Sequence, residues 1–217
     1  ESKWDDLKVF VEYGMLTEDK FYEKAEKFAL IKNSKNECYT IEDYIEKIKP
    51  IQTDKNEKLV VLYAHSQEAH HQFIEAAEER GYDVAIFNSP LTPHYIQKLE
   101  TKLDNVSFAR VDSDTLDNLI KKEDELPSKL TDAEKEKLKP IFEEVLEKEK
   151  FIVHFENMSE KEAPIVITQP EFMRRMQEQQ RMGGGGMMGS LPEMYDVKIN
   201  SNHPLVGSIL KKQKDNK

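Results

Sequence analysis

Residues 58–111 read KLVVLYAHSQEAHHQFIEAAEERGYDVAIFNSPLTPHYIQKLETKLDNVSFARV. Three short apolar runs stand out, Lys58 to Tyr63 (KLVVLY), Tyr82 to Phe87 (YDVAIF) and Val106 to Val111 (VSFARV). Two longer stretches of helical character separate them, Ser66 to Arg80, punctuated by Gly81, and about Pro93 to Leu103. Strands that alternate with helices of this length are joined by right-handed crossovers and pair in parallel. The spacing predicts a small three-stranded α/β/α unit, followed by a helix opened by Ser113 or Asp114.

Upstream, the apolar positions Trp4, Leu7, Val9, Phe10 and Tyr13, and then Phe21, Ala25, Phe28 and Ala29, recur at helical spacing on either side of Gly14. Two amphipathic helices are expected there. Lys32 to Cys38 is polar and turn-like, and Thr40-Ile41-Glu42-Asp43 has the form of a helix cap with acids in the first turn. A helix from Ile41 to Lys49 should stop at Pro50.

Downstream, residues 121–150 mix Lys and Glu densely around the stripe Leu130, Ala133, Leu138, Ile141, Val145 and Leu146. This predicts a charged connector helix, capped near Thr131 and bent at Pro140. The runs Phe151 to Phe155, Ile165 to Thr168 and Tyr195 to Ile199 predict strands of a second, smaller sheet, and Asn202-His203-Pro204 opens a last helix. The expected fold class is therefore α/β: a parallel three-stranded α/β/α subdomain preceded by helices, joined by a charged helix to a small α+β domain.

Composition narrows the function. Of 217 residues 34% are charged, and the formal net charge is -10, the wrong sign for a phosphate-binding surface, so no nucleic-acid partner is expected. The lone Cys38 forms no internal disulfide and no Cys-based metal pattern, which points to a reducing, cytoplasmic setting. No apolar run approaches the roughly 18 to 20 residues of a membrane span, and Glu1-Ser2-Lys3-Trp4 is not a signal sequence. The chain starts without Met in a helical stretch, which suggests an excised fragment.

The chemistry of catalysis is thin. His70 and His71 are adjacent and diverge by about 100° on a helix, so they do not share a metal easily. Ala64-His65-Ser66-Gln67 stands where a nucleotide-binding fold places a glycine-rich phosphate loop, yet holds no glycine. Gly183 to Gly186 lacks a following Lys-Ser/Thr pair and has the composition of a flexible linker. Neither Ser66 nor Cys38 has an evident base. No catalytic residue, cofactor site or metal site is expected within the chain. The rival reading is a small α/β enzyme or metabolite-binding domain, which would need a concave polar site at the strand carboxyl ends, near His65, Asn88 and Asp112.

The most unusual stretch is Gln169 to Pro192, QPEFMRRMQEQQRMGGGGMMGSLP. Pro170 suits a first helical turn. Phe172, Met173 and Met176 then project together, with Arg174, Arg175, Glu178 and Arg181 on the polar side. Methionine is unbranched and polarizable, so such a surface repacks around many apolar partners. The other reading is that these methionines pack on the second sheet.

In order along the chain, several segments resemble the HtpG family of ninety-kilodalton heat-shock chaperones. Lys3-Trp4-Asp5-Asp6-Leu7 with Glu12-Tyr13-Gly14-Met15-Leu16 is similar to the helices ending the family's large middle subdomain. Tyr44-Ile45-Glu46-Lys47-Ile48-Lys49, Gln52 and Lys58 to Ala64 resemble its approach to the small middle subdomain, and Gly81-Tyr82-Asp83-Val84 its second strand. Ala163-Pro164-Ile165-Val166 and Asn200-Ser201-Asn202-His203-Pro204-Leu205-Val206 resemble segments of its C-terminal domain.

The resemblance implies four parts: 1–50, ending the large middle subdomain; 51–125, the small middle subdomain; 126–150, a connector; and 151–217, a truncated C-terminal domain. It implies a homodimeric, ATP-driven cytoplasmic chaperone that binds unfolded or partly folded clients. ATP and magnesium would sit in an absent N-terminal domain, and the dimer helices would follow Leu210. The bacterial seventy-kilodalton heat-shock chaperone is an implied partner; a membrane is not. Client contacts would fall by position on His94, Tyr95 and Gln97, and on Phe172, Met173, Met176 and Met182, facing a cleft between the two units. Gln177, Gln180 and Arg181 depart from the apolar residues some relatives carry.

Overall fold

The computed structural model describes residues 3–122, 126–182 and 193–215, without the side chains of 178–182 and 213–215. It divides into two compact units, Glu1–Val111 with Asn118–Lys122, and Asp112–Asp117 with Glu123–Lys217.

The first unit opens with α1 (Trp4–Thr17) and α2 (Asp19–Ala25). Gly14 does not break α1, contrary to the expected pair of helices flanking it. Its place is steric: a Cβ there would stand 2.6 Å from the Phe21 ring, which would have to move to admit it. The helix breaks instead at Glu18, whose backbone is extended. Then come β1 (Leu30–Lys32) and β2 (Cys38–Thr40), an antiparallel pair with Ile31 opposite Tyr39. The Asn33 side-chain oxygen accepts from the amides of Lys35 and Glu37 and shapes their turn. Helix α3 (Ile41–Gln52) is capped by Thr40, whose hydroxyl accepts from the Asp43 amide at 3.1 Å. It continues through Pro50 for one half-turn beyond the expected stop.

Next come β3 (Leu59–Ala64), α4 (His71–Glu79), β4 (Val84–Ile86), α5 (Thr92–Lys102) and β5 (Val106–Arg110). The strands form a parallel sheet ordered β4-β3-β5, as the alternation of runs and helices requires. The central strand β3 is buried along its whole length. Helix α4 starts later than expected because Ser66 to His70 form a turn of their own, and it ends with Gly81 at φ 79°, a left-handed cap suited to glycine. Met15, Ile31, Tyr44, Ile48, Tyr63, Phe87, Ile96, Leu99 and Phe108 belong to one core.

A short helix, α6 (Leu116–Leu119), precedes the second unit's main body. There α7 (Asp132–Glu144) starts with a capping box between Thr131 and Glu134 and keeps Pro140 inside it. Leu138 and Phe142 of α7 are buried with Val153, Ile199, Val206 and Leu210, so this charged helix contributes directly to a core. Strands β6 (Phe151–Glu156), β7 (Ile165–Thr168) and β8 (Tyr195–Asn200) form a mixed sheet ordered β6-β8-β7, with β6 parallel and β7 antiparallel to β8. Helix α8 (Glu171–Met182) follows β7, and α9 (Pro204–Asp215) follows β8 with a proline at its first position.

Candidate functional site

Alternation along β8 sends Val197 and Ile199 into the core and turns Asp196 and Lys198 to the other face. That second face is polar. Lys198 Nζ donates to Glu156 Oε1 at 2.9 Å and stands 3.5 Å from Asp114, while His154 Nε2 lies 3.2 Å from Asp196. Burial opposes the charge on Lys198, but Glu156, Asp114 and Asp196 outweigh it and raise its pKa. The 112–117 segment therefore lies on this face, and the Gln169 amide donates to the Asp112 carbonyl at 2.9 Å, tying the start of α8 to the same segment.

Helix α8 turns polar residues inward. Arg174 and Gln177, one helical turn apart, are buried at 3% and 8% exposure. Arg174 is satisfied by Glu171, which accepts from its Nε at 3.1 Å and from Arg175 Nε at 2.7 Å. Burial alone would raise the Glu171 pKa; the two guanidinium groups reverse this and hold it below the usual carboxylate range. With the polar residues inward, Phe172 is 74% exposed, and Met173 and Met176 are half-buried. Of the residues expected on the polar side of α8, Arg174 is buried and Arg175 half-buried, and the side chains of Glu178 and Arg181 lie outside those described. The Met182 side chain and residues 183–190 lie outside the described residues.

The other expected contacts are on α5. His94 and Gln97 are exposed, one turn apart. Tyr95 departs from the expectation: it is 3% exposed, and its hydroxyl donates to Met15 Sδ at 3.7 Å. Burial pushes its pKa up, and the residue serves the core instead of the surface. His94 and Gln97 belong to the first unit and the α8 residues to the second. Ile165 and Ile167, exposed at 40% and 47% on edge strand β7, escaped the sequence reading, although the period-two pattern of IVIT carried the signal.

After β3, His65 Nδ1 is bound to the Phe87 carbonyl at 2.7 Å, a link between strand ends. Among the described residues no group of three His, Cys, Asp or Glu is placed to hold a metal ion, and no helix is long and apolar enough to cross a membrane.

The chain is 41% identical over 219 residues to the chaperone protein HtpG of Porphyromonas gingivalis, covering 99% of this chain and 32% of the relative. It is also 41% identical to HtpG of Bacteroides fragilis over 214 residues, 97% of this chain and 31% of that protein. It thus spans about a third of the length of these relatives. Among solved structures, the middle domain of a Plasmodium falciparum heat shock protein aligns with 51% of this chain and 47% of its own, at TM-score 0.39 and 15% identity. The family model described as Hsp90 protein matches residues 2–217, and the chain belongs to that family.

Proposed function

We propose that this chain is a client-contacting part of an ATP-driven chaperone and that α8 offers the contact surface. The observation that carries the reading is the orientation of α8. Arg174 and Gln177 are turned inward and Arg174 is paired with Glu171, leaving Phe172 exposed beside the half-buried Met173 and Met176. An exposed aromatic flanked by flexible thioethers accommodates apolar segments of varied sequence, which is what a non-native protein presents. Each such side chain is worth about 1.5 to 3 kcal/mol when fully buried, before the cost of association, so binding should be modest and reversible. His94 and Gln97 supply a polar second contact on α5. Membership of the family supports the rest of the reading: ATP and magnesium bound outside this chain, a homodimer in the full-length protein, a cytoplasmic setting and transfer of clients from the seventy-kilodalton chaperone.

The test is titration of a permanently unfolded model protein against the chain and its Phe172→Ser/Met176→Ser variant. Phe172 is 74% exposed, and neither position takes part in the Glu171–Arg174 pair, so the fold should survive. The variant should bind about ten-fold more weakly or worse. Equal binding sinks the proposal.

A further inference from the structure

Strand β7 lies at the edge of its sheet, and its backbone groups can be assigned one by one. The Asn200 amide donates to the Pro164 carbonyl at 2.9 Å and Val166 stands opposite Lys198, so Pro164, Val166 and Thr168 turn their backbone groups to β8. By alternation the N–H and C=O of Ile165 and Ile167 point the other way, off the end of the sheet, where no described residue bonds them. The side chains of Ile165 and Ile167 lie on the core side of the sheet, because their cross-strand partners Ile199 and Val197 are buried in the core. Both isoleucines nevertheless stay exposed. The open backbone edge and the uncovered end of the apolar face therefore coincide at the same two residues.

Such an edge accepts another extended backbone, and the sequence of β7 singles one out. Ile165-Val166-Ile167 reads the same in both directions. A second β7, related by a two-fold axis through Val166 perpendicular to the sheet, runs antiparallel and sets each Ile165 opposite Ile167 of the other copy. These are the outward-bonding residues, so each such pair exchanges two hydrogen bonds. Val166 meets its own copy between them at a non-hydrogen-bonded position. Pro164 meets Thr168 at another, where its missing N–H loses no bond. The ladder stops there, since the next amide, Gln169, is already given to the Asp112 carbonyl at 2.9 Å. The apolar faces of the two sheets then run on along one side, and the isoleucines of one copy pack against those of the other. We infer that β7 is a self-association edge, joining two copies of this chain into one continuous sheet of order β6-β8-β7-β7-β8-β6. The paired segment is only about 14 Å long, so the contact belongs to the weak, reversible class, with a dissociation constant on the order of 100 µM. It is independent of α8 and of client contact.

Sedimentation velocity of the whole chain, from about 5 µM to about 1 mM, should show a reversible monomer–dimer equilibrium. Ile167→Pro removes one outward N–H and spares the bonds to β8, and should weaken the dimer about ten-fold or more. Ile165→Lys, which puts a charge on the edge, should do the same, and Phe172→Ser should change nothing. The thermal midpoint shows whether each variant is folded. Register is read by cross-linking in a Cys38→Ser background. Val166 stands about 4.5 Å, Cα to Cα, from Val166 of the other copy, within disulfide reach, whereas Ile165 does not face itself. Under mild oxidation Val166→Cys should therefore form a disulfide dimer about ten-fold faster than Ile165→Cys. A chain that stays monomeric to about 1 mM, or that dimerises as tightly in folded Ile167→Pro, overturns the proposal. Equal cross-linking at 165 and 166 overturns the two-fold register. A dimer lost in Phe172→Ser and kept in the β7 variants also overturns it, by placing the contact on α8.

Discussion

Glu12 and Asp83 are both buried carboxylates of the first unit, and they are held in opposite ways. Asp83 accepts from the Tyr44 hydroxyl at 2.9 Å, Lys47 Nζ at 2.8 Å and Asn33 Nδ2 at 3.1 Å, while its own amide donates to Gln52 Oε1. Every polar group in that cluster has an answer, and it clips α3 and the hairpin to the parallel sheet. Glu12 is answered on one side only. Burial raises its pKa, and the hydrogen bond from Ser89 and the charge of Lys8 offset this in part. A carboxyl whose folded pKa is raised binds its proton more tightly in the folded state. Its contribution to stability is whole below the unfolded value, about 4.3, and is lost as pH climbs through the folded value. Glu12→Gln should therefore raise the thermal midpoint at pH 7 to 8, do little at pH 4, and flatten the profile between. A variant destabilised equally at all pH values would show that the carboxylate is fully compensated by charges nearby.

Elements were legible in the sequence to the extent that their pattern was longer than their ambiguity. The β3, β4 and β5 runs were readable because each is apolar and separated by a helix, and the order of the sheet follows from parallel crossovers. The three-residue strands β1 and β2 offered too few positions for a period, so only their turn was visible. The orientation of α8 was hidden for another reason. Helical spacing tells which residues share a face, but tertiary packing decides which face goes inward, and here Arg174 and Gln177 are the buried ones. Gly14 was misread as punctuation because its reason, the Phe21 ring, lies across the helix pair. A double-mutant cycle checks this reading. In a Phe21→Ala background, Gly14→Ala should gain about 1 kcal/mol of helix propensity; with Phe21 present the ring must move and most of that gain should vanish. Equal gains in both backgrounds would mean that the ring does not constrain position 14.

Across the whole molecule, the formal charge of -10 acts at a longer range than any contact on α8. The Debye length is roughly 30 Å at 0.01 M salt and 10 Å at 0.1 M, so the field is felt by an approaching client mainly in dilute buffer. If α8 captures apolar segments, charge and contact should separate kinetically: the net charge sets how fast a cationic unfolded protein arrives, and Phe172 and Met176 set how long it stays. Raising salt from 0.02 to 0.3 M should slow association of a basic client by on the order of ten-fold, leave an acidic client slightly faster, and barely alter dissociation of either. The Phe172→Ser/Met176→Ser variant should show the reverse, with association nearly unchanged and dissociation accelerated. Stopped-flow measurement of both rates distinguishes the cases. A dissociation rate that follows salt as strongly as it follows the α8 variant would mean that clients are held by charge, and that the exposed phenylalanine is incidental to binding.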